Sequence, residues 1–170
     1  MIVVAIVAAL AAVVIPSFFR DSIKKQYDSE VNAFFAEFQV KEEQYKVENG
    51  VYYATTAVCP ATPVANNAAG IDLTLAGNCL ASTSDWITKL RMNPGQTTAR
   101  CTYQTFQGGA GATASPPAGF TFNQGVGQWW YALATCDIDG KGGTNTQYFT
   151  GSSNSVAANG HAFQTINYGQ

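Results

Sequence analysis

The sequence predicts an α+β fold, in which the second half of a long N-terminal α-helix packs on a small head built from an antiparallel β-sheet. Three observations point there. Apolar residues recur at helical spacing across residues 17–48. Charge falls away after Gly50: residues 17–48 hold twelve of the twenty charged side chains, and the much longer remainder holds eight. From residue 98 onward, segments rich in β-branched and aromatic residues alternate with glycine clusters, which is the pattern of short strands and turns.

The chain opens with fifteen residues, 1–15, that carry no charge. Nine of them are Ile, Val or Leu, together worth about −3 to −5 kcal/mol of membrane insertion free energy. Fifteen is short of the roughly 20 needed to cross a bilayer, and a secretory signal would follow a basic segment. The run passes through Ile15-Pro16-Ser17-Phe18-Phe19 into a helical pattern with no turn signal, so it reads as the first third of one rod. Pro16 removes one helical hydrogen bond, crowds the carbonyl of Ala12 and biases Ile15 away from helical geometry.

In the second part of the rod, Tyr27, Val31, Phe34, Phe38 and Tyr45 recur at steps of four, three, four and seven. They form one apolar stripe, widened by Phe35, and ordinary core packing accounts for it. Asp28, Glu30, Glu37, Lys41, Glu42, Glu43 and Lys46 lie between the stripe positions, and the pair Glu42-Glu43 reads as a solvated face. Asn49-Gly50 supplies the stop, since both residues tolerate a left-handed backbone. An unbroken helix to this point would be about 70 Å long, longer than a small domain is wide. The apolar half, residues 1–16, is therefore expected to protrude, and the amphipathic half, residues 17–49, to lie on the head, residues 50–170.

Within the head, residues 54–95 form a long connection with a helical turn near 84–90. An antiparallel sheet spans 97–150, with strands at 98–106, 127–136 and 146–150. Residues 107–117 are a Gly/Ala/Pro-rich excursion. The C-terminal segment, 151–170, holds a weaker fourth strand at 163–167. Trp86, Phe106, Phe120, Phe122, Trp129, Trp130, Tyr131 and Phe149 are the candidate core. Four cysteines, Cys59, Cys79, Cys101 and Cys136, imply two disulfides in an exported head. Of the three possible pairings, Cys59–Cys79 with Cys101–Cys136 is the expected one; the first staples the connection and the second ties two strands.

No catalytic constellation emerges. His161 is the only histidine and stands in a Gly/Asn/Ser-rich stretch without an acid or nucleophile partner. No phosphate loop or Gly-x-Ser-x-Gly elbow occurs. With no Cys-x-x-Cys pair, a zinc site is not expected. Asp137 and Asp139 are spaced like the first ligands of a calcium loop, but Gly140 comes too early and Tyr148 falls where a bidentate carboxylate should be. A Gly-rich turn is the default there, with calcium as the alternative. The expectation is a non-enzymatic chain with no cofactor. Net charge is −2 and the longest basic run is Lys24-Lys25, so the single subunit carries no nucleic-acid footprint.

The opening residues Met1-Ile2-Val3-Val4-Ala5-Ile6-Val7-Ala8-Ala9-Leu10-Ala11-Ala12-Val13-Val14-Ile15-Pro16-Ser17-Phe18 resemble the N-terminal segment of type IV pilins and pseudopilins. The likeness is specific over residues 1–53 and looser beyond. Trp129-Trp130-Tyr131-Ala132, followed by the Asp-Gly turn, is also similar to some pilin heads. On this reading the family's basic leader, N-methylated aromatic first residue and early glutamate lie upstream of Met1.

The resemblance implies a pilin-like fold and a structural subunit of an extracellular type IV pilus-like filament, serving adhesion, twitching motility or DNA uptake. It implies a subunit held in the bacterial inner membrane, then assembled by a membrane machine with an ATPase into a cell-surface fibre. Met1, Ile2, Val3, Val4, Ile6, Val7, Leu10, Val13, Val14, Ile15 and Pro16 would carry assembly, and the interspersed Ala5, Ala8, Ala9, Ala11 and Ala12 would allow close helix approach. It implies too that part of residues 8–15 loses helical structure on assembly. Nucleic acid would be a partner only at the level of the whole fibre. Two alternatives stay open: a pseudopilin of a type II secretion machine, and a membrane-anchored binding module that never polymerises.

Overall fold

The computed structural model describes residues 2–55, 57–66, 68–122, 126–152 and 163–169, with side chains from residue 21 onward. Helix α1 spans Ile2–Asn49, and its backbone is helical through Pro16. It ends where Gly50 turns to φ +77° and donates its amide to the Lys46 carbonyl at 2.7 Å, a left-handed cap. After α1 come β1 (Ile71–Asp72), α2 (Asp85–Thr88), β2 (Thr98–Ala99), β3 (Thr102–Gly108), β4 (Trp129–Cys136), β5 (Thr146–Gly151) and β6 (Gln164–Ile166). Ser84 caps α2, its side chain accepting from the Ile87 amide.

Strands β3 to β6 form one antiparallel sheet in chain order, and β1 pairs with β2 in a separate two-residue ladder. Thr105 faces Ala132 across β3 and β4, and Leu133 faces Phe149 across β4 and β5. Alternation along β4 then sorts side chains to two cores. Trp130, Ala132, Ala134 and Cys136 face α1, where they meet Tyr27, Val31, Phe34 and Phe38. The two alanines leave room for the helix aromatics: Phe34 stacks on Tyr103 at 4.3 Å, and Phe38 meets the α2 residue Trp86 edge-on at 5.0 Å. Trp129 and Tyr131 face the other way, joining Phe120, Phe149, Phe106 and Phe122 beneath the excursion after β3.

Two expectations change. A single strand over 98–106 is instead two, broken at Arg100 and Cys101. Their amides donate to Glu30 Oε1 on α1, at 2.8 and 3.0 Å, in place of a strand ladder. Glu42 is not on a solvated face: it is fully buried, as Glu30 nearly is, so two carboxyls lie on the packed side of α1.

Candidate functional site

Met1 lies outside the described residues, and Ile2, Val3, Val4, Ile6, Val7, Leu10, Val13, Val14, Ile15 and Pro16 lie on α1 with side chains outside them. Among the described residues no helix is long and apolar enough to cross a membrane. The structure does describe how the head grips the next stretch of the same helix.

That grip has an apolar and a polar part. Tyr27, Val31, Phe34, Phe35 and Phe38 are buried, each contributing about 1.5–3 kcal/mol on transfer from water. Around them, carboxyls on α1 bind the head. Besides the two amides, Glu30 Oε1 accepts from the Tyr103 hydroxyl at 3.0 Å. Burial and the Glu30 charge hold the Tyr103 phenol well above its ordinary range. Asp28 takes two phenols, Tyr148 at 2.8 Å and Tyr168 at 2.6 Å, which fastens the C-terminal segment to α1. Lys24 sits over the Tyr168 ring at 5.0 Å. The Tyr27 hydroxyl donates to the Val64 carbonyl at 3.2 Å, and burial pushes its pKa up to about 12. Higher on the helix, Glu42 Oε2 accepts from the Tyr53 amide at 2.9 Å. Glu43 accepts from the Tyr52 hydroxyl, which in turn accepts from Lys46, both at 2.9 Å. Glu42 and Glu43 therefore make packing and cross-linking contacts with the segment after the helix.

Sequence reasoning missed the buried carboxyls, although the signal was present. Glu30 lies three residues after Tyr27 and Glu42 four after Phe38, both on the stripe's own helical period.

Two disulfides are formed. Cys59–Cys79, with Cα atoms 5.6 Å apart, closes the connecting region; Cys101–Cys136, 4.4 Å apart, ties the start of β3 to the end of β4. The Asp137–Gly143 stretch is a turn held by its own backbone: Asp137 Oδ1 accepts from the Gly140 amide at 2.9 Å, and Asp139 Oδ1 from the Lys141 amide at 3.1 Å. Asp139 also pairs with the Lys141 ammonium at 3.9 Å. Among the described residues no group of three or more His, Cys, Asp and Glu side chains could hold a metal ion. His161 lies outside the described residues. Beside Ile23, where α1 meets the turn, a cleft of about 450 Å³ is lined by Lys24, Asn66, Asp139, Lys141 and Thr144. Its charges are of both signs.

Comparison with protein-family models, with curated proteins and with solved structures finds no match to this chain.

Proposed function

We propose that this chain is a structural subunit of a type IV pilus-like extracellular filament, assembled through its apolar N-terminal helix. One observation carries the reading. The apolar run of residues 1–15 continues, in unbroken helical backbone from Ile2, into the stretch that bears the head's core. A subunit built this way has one end suited to an apolar environment and one folded head. In a bilayer the apolar end anchors it. Among copies, that same end packs helix to helix, and identical subunits related by a rotation that does not close form an open filament. The role needs no catalytic group or cofactor. The membrane assembly machine and its ATPase come from the resemblance of residues 1–18 to pilins.

Electron microscopy of native surface fibres, with density traced to this chain, tests the proposal. Fibres containing it, at the surface, are the expected result. An exported form that starts after Phe19, or exists only as single soluble copies, overturns it. A pseudopilin would give loss of secretion without surface fibres. The mixed-charge cleft beside Lys24 favours a second reading, a membrane-tethered binding module. Deleting residues 1–15 separates the two: a fibre subunit keeps its folded head but cannot assemble, whereas a tethered module keeps its binding in solution.

A further inference from the structure

The buried carboxyl of Glu42 goes beyond the filament reading and stands apart from it. Glu42 is fully buried, yet only one of its oxygens is engaged as an acceptor of a backbone hydrogen bond: Oε2 receives the Tyr53 amide at 2.9 Å, and Oε1 has no partner. The neighbouring hydroxyl of Thr105, on β3, has its own proton committed to the Tyr53 carbonyl at 3.3 Å. Thr105 Oγ1 accepts from the Thr55 amide at 3.1 Å and keeps one lone pair. A carboxylate here would leave an anionic oxygen buried and unpaired, which is costly. A neutral acid instead has one proton to donate, and Thr105 Oγ1 has room to accept it.

We propose that Glu42 is a proton-bearing latch between α1 and the head: as the neutral acid it donates from Oε1 to Thr105 Oγ1, and losing that proton releases the 51–55 segment from the helix. Two sides of the closed latch are in place: the Tyr53 amide donates to Glu42, and Thr105 donates to the Tyr53 carbonyl. The proposed proton on Glu42 Oε1 completes the ring at Thr105 Oγ1. The Thr105 amide, donating to the Thr55 hydroxyl at 2.9 Å, joins the same segment to β3.

The surrounding charges leave the acid form unopposed. On α1, Glu43 is a like charge, and the Lys46 ammonium is turned to the Tyr52 hydroxyl. The Tyr53 hydroxyl donates to Asp85 of α2 at 2.6 Å. On β3 the titratable group, Tyr103, is bound to Glu30. Burial is the main cause pushing the Glu42 carboxyl up to about 8, and Glu43 adds to the rise. The Tyr53 amide pulls it down, and a Thr105 hydroxyl turned to donate to the carboxylate would do the same, but its proton is held by the Tyr53 carbonyl. Because the folded value lies above the unfolded one, the latch is fully closed below the ordinary carboxyl range. It weakens as pH climbs towards the folded value.

The test is amide hydrogen exchange of the full chain in detergent micelles, corrected for intrinsic exchange. Protection of the Tyr53, Thr55 and Thr105 amides should fall by about tenfold per pH unit between about pH 5 and 8. It should be insensitive to pH in Glu42→Gln. A flat profile in the wild type, or the same slope in Glu42→Gln, overturns the proposal. Infrared spectroscopy supplies a readout independent of the variant's folding. The wild type at neutral pH should show a protonated carboxyl C=O band that disappears at alkaline pH, and absence of the band overturns the proposal equally.

Discussion

Replacing Glu30 probes the joint between helix and head most sharply. Glu30 Oε1 accepts three hydrogen bonds, from the Arg100 and Cys101 amides at 2.8 and 3.0 Å and from the Tyr103 hydroxyl at 3.0 Å. Glu30→Ala strips the acceptor from all three. An unsatisfied buried donor costs about 1–3 kcal/mol. The Arg100 amide, on a half-buried residue, can recruit water and sits at the low end; the Cys101 amide and the fully buried phenol cannot do so easily. The expected loss is about 4–5 kcal/mol. Glu30→Gln keeps a carbonyl oxygen in the same place and exchanges the carboxylate for a neutral acceptor, so the loss should be only about 1–2 kcal/mol. Urea unfolding of the full chain in micelles, followed by tryptophan fluorescence, measures both. Hydrogen exchange should show the Arg100 and Cys101 amides losing protection in the alanine variant alone. If Ala and Gln are equally mild, the carboxyl is not what organises the break between β2 and β3, and the reasoning fails.

Further outcomes follow from the same contacts. Phe34→Ala removes a fully buried ring that stacks on Tyr103 and should cost about 3–5 kcal/mol by urea unfolding. Gly108→Ala places a methyl group into the Trp129 indole; it should cost about 1–3 kcal/mol and shift the tryptophan emission. Replacing Cys101 and Cys136 together by serine releases a crosslink of separation 35; the chain-entropy estimate is a loss of about 4 kcal/mol, against about 3 for Cys59 and Cys79 at separation 20. Global stability should decline from acid towards mild alkali, because Glu42 rises on folding from 4.5 to about 8. At 1.36 kcal/mol per unit that is about 5 kcal/mol, and Glu42→Gln should abolish it in a pH series of melts.

Sequence pattern reaches some parts of this molecule and not others. The α1 stripe is visible because five apolar side chains at helical spacing need a common buried surface. β4 and β5 lie where alternating aromatic and β-branched residues place strands, and α2 falls within the helical turn expected near 84–90. Tertiary partners decided the rest. The interruption at Arg100 and Cys101 is imposed by a carboxyl some 70 residues earlier in the chain, which no local window contains. β1 is two residues long and owes its existence to pairing with β2. Glu42 was misplaced because its charge suggested solvent while its position, four residues after Phe38, put it inside. The apolar opening is legible as composition and as resemblance, because it carries its message without any fold.

The two crosslinks have a mechanical consequence. A chain pulled along its length can yield only as much contour as its covalent loops leave free. The loops closed by Cys59–Cys79 and Cys101–Cys136 have separations of 20 and 35 residues, so about 190 Å of chain cannot pay out under tension. The second bond sits at one end of the β3–β4 ladder, beside the pair Thr102 and Thr135. That hairpin cannot unzip from its bonded end. Load must instead peel the β5–β6 side, where Asp28 grips two tyrosines.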